Sequence, residues 1–315
     1  MTMTTSSRRV EITRGSSSDA TVKVAHGDDD DGGRSVLSSW VKRKLLGRGA
    51  NASVYLATRE NDDGDMEVRA IKTAELSRAS SLMNEGRILI RLDSPFLVRC
   101  YDAEIVREEN CMQYNLILEY FSGQTIADLI DDNHGGGLLE SDVKVFARDV
   151  LSGLKYIHDC YIVHCDIKPE NLLLCPADRR FRPNGYFTKI GDFGLALQKG
   201  SIEYGDGYGL KRGTKRYMAP ELIIHGIVDF GADVWALGCT VLEMLTGDMV
   251  WGEHGDLGSG SDDWVEIIGY SGLTPQIPDF VSEEAKDFLR RCFERDPHKR
   301  WSSHSLAKHP FAILW

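Results

Sequence analysis

No apolar run in the sequence reaches the roughly 18 residues that a membrane-crossing helix needs, and the polar start, rich in Thr, Ser and Arg, lacks the apolar centre of a secretory signal. A soluble chain of the cytoplasm or nucleus, with no membrane partner, is the expectation. The seven cysteines (Cys100, Cys111, Cys160, Cys165, Cys175, Cys239 and Cys292) are scattered, odd in number and contain no C-x-x-C pair. That pattern excludes a disulfide framework and a zinc site of the usual spacing, and fits reduced thiols. Positive charge is scarce as well: 37 Lys and Arg stand against 48 Asp and Glu, a formal net charge of -11. Phosphate backbones are bound by clustered Lys and Arg, so no nucleic-acid partner is expected. Part of the excess is the run Asp28, Asp29, Asp30 and Asp31, read as a solvated tail with no assigned function.

Across the 315 residues, 42% hydrophobic and 27% charged side chains are the composition of a globular protein able to bury a core, as one large domain or as two lobes around a cleft. Residues 1–39 are mostly Ser, Thr, Asp and Gly and read as a flexible tail. From Trp40 the pattern changes. Segments 41–46, 53–58 and 67–73 carry the β-branched and aromatic residues of strands, and shorter strands are expected around 97–101 and 114–119. Helical periodicity marks 80–92, 141–159 and 283–293, the last with Ser282 as a cap, and the nearly all-apolar 232–246 reads as a buried helix.

The turn between the first two strands has the spacing Gly47-x-Gly49-x-x-Ala52, with Arg48 and Ala50 inside it. Glycine spacing of this kind also marks dinucleotide-binding folds, but there a helix follows, whereas here a strand does. A hairpin whose backbone amides cover phosphates is the reading, and Ala52 in the third glycine position restricts it modestly. Lys72, in Val68-Arg69-Ala70-Ile71-Lys72, falls on the third strand, where an ammonium meets nucleotide phosphates. Glu85, on the next helix, stands where its carboxylate would hold that lysine.

The specific signal comes next: His164-Cys165-Asp166-Ile167-Lys168-Pro169-Glu170-Asn171, then Asp192-Phe193-Gly194, then Ala219-Pro220-Glu221. In this order, after the glycine loop, the lysine and the glutamate, the chain resembles the eukaryotic protein kinases from about residue 40 to 311. The resemblance implies an α+β, bilobal fold. A small antiparallel-sheet lobe with one helix would span about 40–118, a hinge about 119–123 and a larger helical lobe about 124–311, leaving 312–315 as a short end.

It also implies ATP and Mg²⁺. Asp166 would accept the substrate hydroxyl's proton, Lys168 would sit by the transferring phosphoryl, and Asn171 and Asp192 would be the metal's oxygen ligands. Leu118 takes the position behind the adenine pocket and Glu119 and Phe121 the hinge, with Val54 and Ala70 carried over as nucleotide contacts. His164, Phe193, Leu89 and Cys100 match an internal stack, Asp233 would brace the catalytic loop, and Glu221 would pair with Arg300.

Lys168 beside the catalytic aspartate, with Gly213-Thr214, resembles the serine/threonine kinases. The stretch from Gly231 to Met244 is similar to mitogen-activated protein kinase kinase kinases, which implies kinase kinases as protein substrates. Other Ser/Thr substrates, or a kinase-shaped scaffold, are the competing readings. Cys165 takes a place where many kinases carry an arginine that binds a phosphate on the activation segment. A thiol cannot do so; Ser201, Tyr204 and Tyr208 are then not the usual switch unless another cation, Lys189 or Lys211, receives the phosphate.

Overall fold

Runs of β-branched and aromatic residues build the first part of the chain and amphipathic helices the second, in a computed structural model that describes residues 7–11, 23–24, 40–49, 52–108, 111–201, 213–254 and 263–313. The chain divides into two units, Met1–Asp93 with Val98–Tyr120, and Ser94–Leu97 with Phe121–Trp315. Asp28 to Asp31, Ala50, Tyr204, Tyr208 and Lys211 lie outside the described residues.

The first unit holds β1 (Ser7–Glu11), β2 (Lys23–Val24), β3 (Val41–Arg48), β4 (Ser53–Glu60), β5 (Met66–Glu75), α1 (Ser80–Leu89), β6 (Cys100–Glu108) and β7 (Cys111–Leu118). They form one antiparallel sheet in the order β2-β1-β6-β7-β5-β4-β3. The strand expected around 97–101 runs instead over Cys100–Glu108. Leu97 bridges Ile190 in the second unit, and β6 carries Asp102, Glu104, Arg107 and Glu108, charges that hide its alternation in the sequence. A second difference lies in the expected tail. Ser7–Glu11 pairs with the outer side of β6, Arg8 opposite Ile105, because an edge strand offers unpaired N–H and C=O groups to any extended neighbour.

The second unit holds α2 (Ile126–Asp132), α3 (Glu140–Asp159), β8 (Ile162–Val163), β9 (Leu172–Pro176), β10 (Tyr186–Ile190), β11 (Leu197–Gln198), α4 (Pro220–His225), α5 (Phe230–Thr246), α6 (Glu283–Cys292) and α7 (Ser303–Leu306). From Ala232 to Leu245 every residue of α5 is buried, as its nearly all-apolar sequence predicts, with Asp233, Thr240 and Glu243 as the buried polar exceptions. Asp229 caps its start, Gly247 ends it with φ 76°, and Ser282 caps α6 through the Ala285 N–H at 3.1 Å. Among the described residues no helix is long and apolar enough to cross a membrane.

Candidate active site

In the first unit the register of the sheet gathers the predicted nucleotide contacts. Lys72 stands opposite Val54 and Leu116, and Ala70 opposite Leu56 and Leu118. Residues two apart on a strand share a face, so Val54, Ala70, Lys72 and Leu118 line one face together. Helix α1 adds Glu85, buried on its inner side, whose Oε2 lies 2.7 Å from Lys72 Nζ. Gly86 permits this approach: a Cβ there would meet Tyr114 Oη at 2.6 Å and Leu116 Cδ1 at 3.0 Å, so a side chain would have to displace the Tyr114 and Leu116 side chains or the helix. Gly49 N–H donates to Ala52 O at 2.8 Å and closes the β3–β4 turn after the last strand pair, Arg48 with Ser53. At the end of β7, Glu119 N–H bonds Arg99 O at 2.9 Å and the Glu119 carboxylate accepts from Arg99 N–H.

In the second unit Phe121 lies 5.2 Å from Lys189 Nζ, a cation over its ring. The catalytic loop is fixed from α5. Asp233, fully buried, accepts from the N–H groups of His164 (2.8 Å) and Cys165 (2.9 Å) and contacts His158 Nε2 (2.9 Å), and His158 reaches Ser303 Oγ on α7. These bonds hold Cys165 at φ 68°, a left-handed conformation rare outside glycine.

The turn presents Asp166. Its Oδ1 accepts from the Thr214 N–H and the Thr214 hydroxyl, each at 2.9 Å; its Oδ2 accepts from Asn171 Nδ2 at 3.0 Å and lies 3.3 Å from Lys168 Nζ. Lys168 also donates to Thr214 Oγ1 at 2.7 Å, closing a triangle of base, cation and hydroxyl. The Asn171 amide nitrogen is committed to Asp166, which leaves its side-chain oxygen as a hard ligand. Gly191 N–H donates to Asn171 O and its carbonyl lies 2.9 Å from His164 Nε2, so the exposed Asp192 follows directly beside Asn171. One amide oxygen and one carboxylate suit Mg²⁺, which is held by few protein oxygens and completes its shell with phosphates and water.

Sequence reasoning named Lys72, Glu85, Asp166, Lys168, Asn171, Asp192 and Asp233 but not Thr214, His158 or Ser303 as members of the site; for Thr214 the Gly213-Thr214 pair was the signal. Gly213 has φ 101°, and a Cβ on it would come 2.5 Å from Cys165 O, so only glycine brings Thr214 onto the aspartate. Glu221 and Arg300 form a buried two-pronged pair, at 2.5 and 3.0 Å. In the first unit Leu89 and Cys100 are buried, and in the second the His164 and Phe193 rings meet edge to face at 4.7 Å. Behind the loop, Tyr217 donates its hydroxyl to Glu243 at 2.7 Å, and burial, reinforced by the charge of Glu170, raises that carboxyl to about 7.

A sequence profile for the protein kinase domain matches residues 40–312. The chain is 38% identical to mitogen-activated protein kinase kinase kinase 20 of Arabidopsis thaliana over 285 residues, 87% of this chain and 78% of that one. It is 36% identical to kinase kinase kinase 17 of the same plant over 276 residues, 86% of this chain and 69% of the other. Protein kinases generally use ATP with Mg²⁺ and act on proteins. With the match covering nearly the whole chain and Asp166 set against Lys168 and Thr214, this chain belongs to the protein kinase family and is a serine/threonine protein kinase.

Proposed function

We propose that this kinase transfers the γ-phosphoryl group of ATP to Ser or Thr hydroxyls of mitogen-activated protein kinase kinases. The similarity to plant kinase kinase kinases supports the substrate class, and the observation that carries the chemistry is the Asp166 carboxylate with both oxygens already directed. Asn171 and Asp192 would hold Mg²⁺, which would supply charge neutralisation for the phosphate oxygens. Lys72, aimed by Glu85, binds the nucleotide phosphates, and Val54, Ala70 and Leu118 supply an apolar face for the adenine. Asp166 orients the substrate hydroxyl and takes its proton. Lys168 stabilises the charge on the transferring group while Thr214, bonded to both side chains, keeps Asp166 and Lys168 in register.

The test is to incubate purified chain with Mg-ATP and a set of catalytically dead kinase kinases, and to map the phosphorylated residues by mass spectrometry. Phosphorylation of activation-segment Ser or Thr, lost in Asp166→Asn, is the expected outcome. Transfer only to proteins of other classes would remove the substrate assignment, and no transfer at all would remove the chemistry.

A further inference from the structure

The loop 177–185, which joins β9 to β10 in the second unit, takes no part in the site described above. It carries Arg179, Arg180 and Arg182 in four positions, with Phe181 between them, in a chain whose net charge is -11. Phe181 is 81% exposed, far above the exposure of most aromatic side chains in a folded protein. The only acid in the loop, Asp178, is taken up internally: both of its carboxylate oxygens accept from the Arg180 guanidinium, and Oδ1 also from the Arg180 N–H at 2.9 Å.

The loop is also built to hold its shape. Phe181 N–H and Arg182 N–H both donate to Asp178 O (3.0 and 2.9 Å), Gly185 N–H to Arg182 O (2.7 Å) and Ala177 N–H to Gly185 O (2.8 Å). Below Phe181, Arg182 Nη2 anchors on the buried Asp149 of α3 at 3.0 Å, and that carboxylate is fixed in turn by the Thr188 N–H. The backbone on both sides of Phe181 is therefore held by hydrogen bonds. A preorganised tip with an exposed ring flanked by the exposed Arg179 and Arg180 side chains, the second held only by a surface ion pair to Asp178, calls for a partner rich in acceptors with one apolar anchor.

We propose that this tip is a docking surface for an acidic segment of a partner protein, whose carboxylates meet Arg179 and Arg180 and whose apolar side chain packs on Phe181. A protein segment fits better than a polyanion. An extended nucleic acid or an anionic bilayer would bring its charge against the acidic remainder of this chain, whereas a short peptide meets the tip alone.

Binding is read without catalysis, so the result is independent of the kinase assignment. The full chain is titrated into a fluorescein-labelled peptide of alternating Asp, Glu, Leu and Phe, followed by anisotropy. The comparison is the variant Arg179→Glu/Arg180→Glu/Phe181→Ala, which spares the anchoring Arg182 and is checked for an unchanged melting temperature. The expected result is binding about tenfold or more weaker in the variant and several-fold weaker when salt is raised from about 0.1 to 0.5 M. A Phe181→Ala variant alone serves as the second probe if the triple change lowers the melting temperature, and it is expected to weaken binding about fivefold. Equal binding by wild type and variants, or no binding by wild type, overturns the proposal. So does tighter binding of a single-stranded oligonucleotide or of phosphatidylserine vesicles to the same residues. A phosphoserine version of the peptide that binds while the carboxylate version does not would replace acidic recognition with phosphate recognition and overturn it in that form.

Discussion

Lys72 and Asp166 are both aimed side chains, but by different means. Lys72 depends on Glu85, an ion pair that reaches from strand β5 to helix α1, and that helix keeps its place through the close approach of Gly86 to Tyr114 and Leu116. Asp166 sits in a loop whose backbone is bonded to a fully buried aspartate, and each of its own oxygens has a donor in place. The first arrangement is as good as the seating of one helix. The second is distributed over α5, the catalytic loop and residues 213–214, so no single displacement undoes it. In the proposed mechanism, phosphate binding is thus the half open to adjustment and the proton-accepting half is fixed by folding.

The largest effect is expected where a single ion pair carries the geometry. Lys72→Met removes the phosphate-binding cation and should lower turnover about a hundredfold or more. It also leaves the Glu85 carboxylate buried without its cation, a loss of up to about 3–5 kcal/mol by denaturant unfolding. Adding Glu85→Leu should return most of that stability and none of the activity. A double variant no more stable than the single one would show that the pair is not what seats α1.

Thr214→Val tests the distributed half. It deletes the hydroxyl that donates to Asp166 and accepts from Lys168, two bonds worth about 1–1.5 kcal/mol each, so kcat should fall about 10- to 100-fold. Thr214→Ser should stay close to wild type in rate and melting temperature, whereas the valine variant should also lose up to about 2–3 kcal/mol of stability. If valine and serine behave alike, the triangle of Asp166, Lys168 and Thr214 carries no catalytic weight.

Glu243 sharpens the contrast through pH. Burial raises its carboxyl from 4.5 to about 7 in the folded state. A group with a raised folded value holds its proton more tightly when folded, so its contribution is full below about 4.5 and is lost as pH rises through about 7. Unfolding measured between pH 5 and 8 should show stability falling with pH by no more than about 3 kcal/mol, and Glu243→Gln should flatten the slope. An unchanged slope in the variant would assign the effect to another group.

The smallest change is expected on dephosphorylation. Cys165 is buried with its thiol on Val163 O, and Lys189 is buried between Phe121 and Phe187. The start of the activation segment is instead knit by β11 against β8, by Lys199 N–H to Tyr161 O and by the Lys199–Asp229 ion pair at 2.8 Å. Enzyme freed of phosphate, verified by mass spectrometry, should keep its initial rate within about threefold. A hundredfold loss, about 2.7 kcal/mol, restored by phosphate on one segment residue would establish the switch that Cys165 argues against.

Particular residues show where reading the sequence succeeded and where it stopped. The Lys72, Glu85, Asp166, Lys168, Asn171 and Asp192 set was visible because phosphoryl transfer tolerates few residue types and the motifs keep their order. The β6 boundary was not visible, since charges on both of its faces, most of them partly buried, break the alternation and Leu97 is drawn away to Ile190. The pairing of Ser7–Glu11 with β6 was also hidden, because it rests on backbone bonds to an edge and asks little of side chains.

By itself the sequence determined the type of fold, the candidates for the reacting groups and the missing arginine at Cys165, all of which follow from local residue chemistry and spacing. Only the tertiary structure decided that Thr214 closes on Asp166 and Lys168 and that Phe181 stands out on a rigid arginine-flanked tip. Both outcomes depend on contacts between residues dozens of positions apart, such as Asp166 with Thr214 and Asp149 with Arg182, and the geometry of such contacts is fixed by packing of the whole unit rather than by any local pattern.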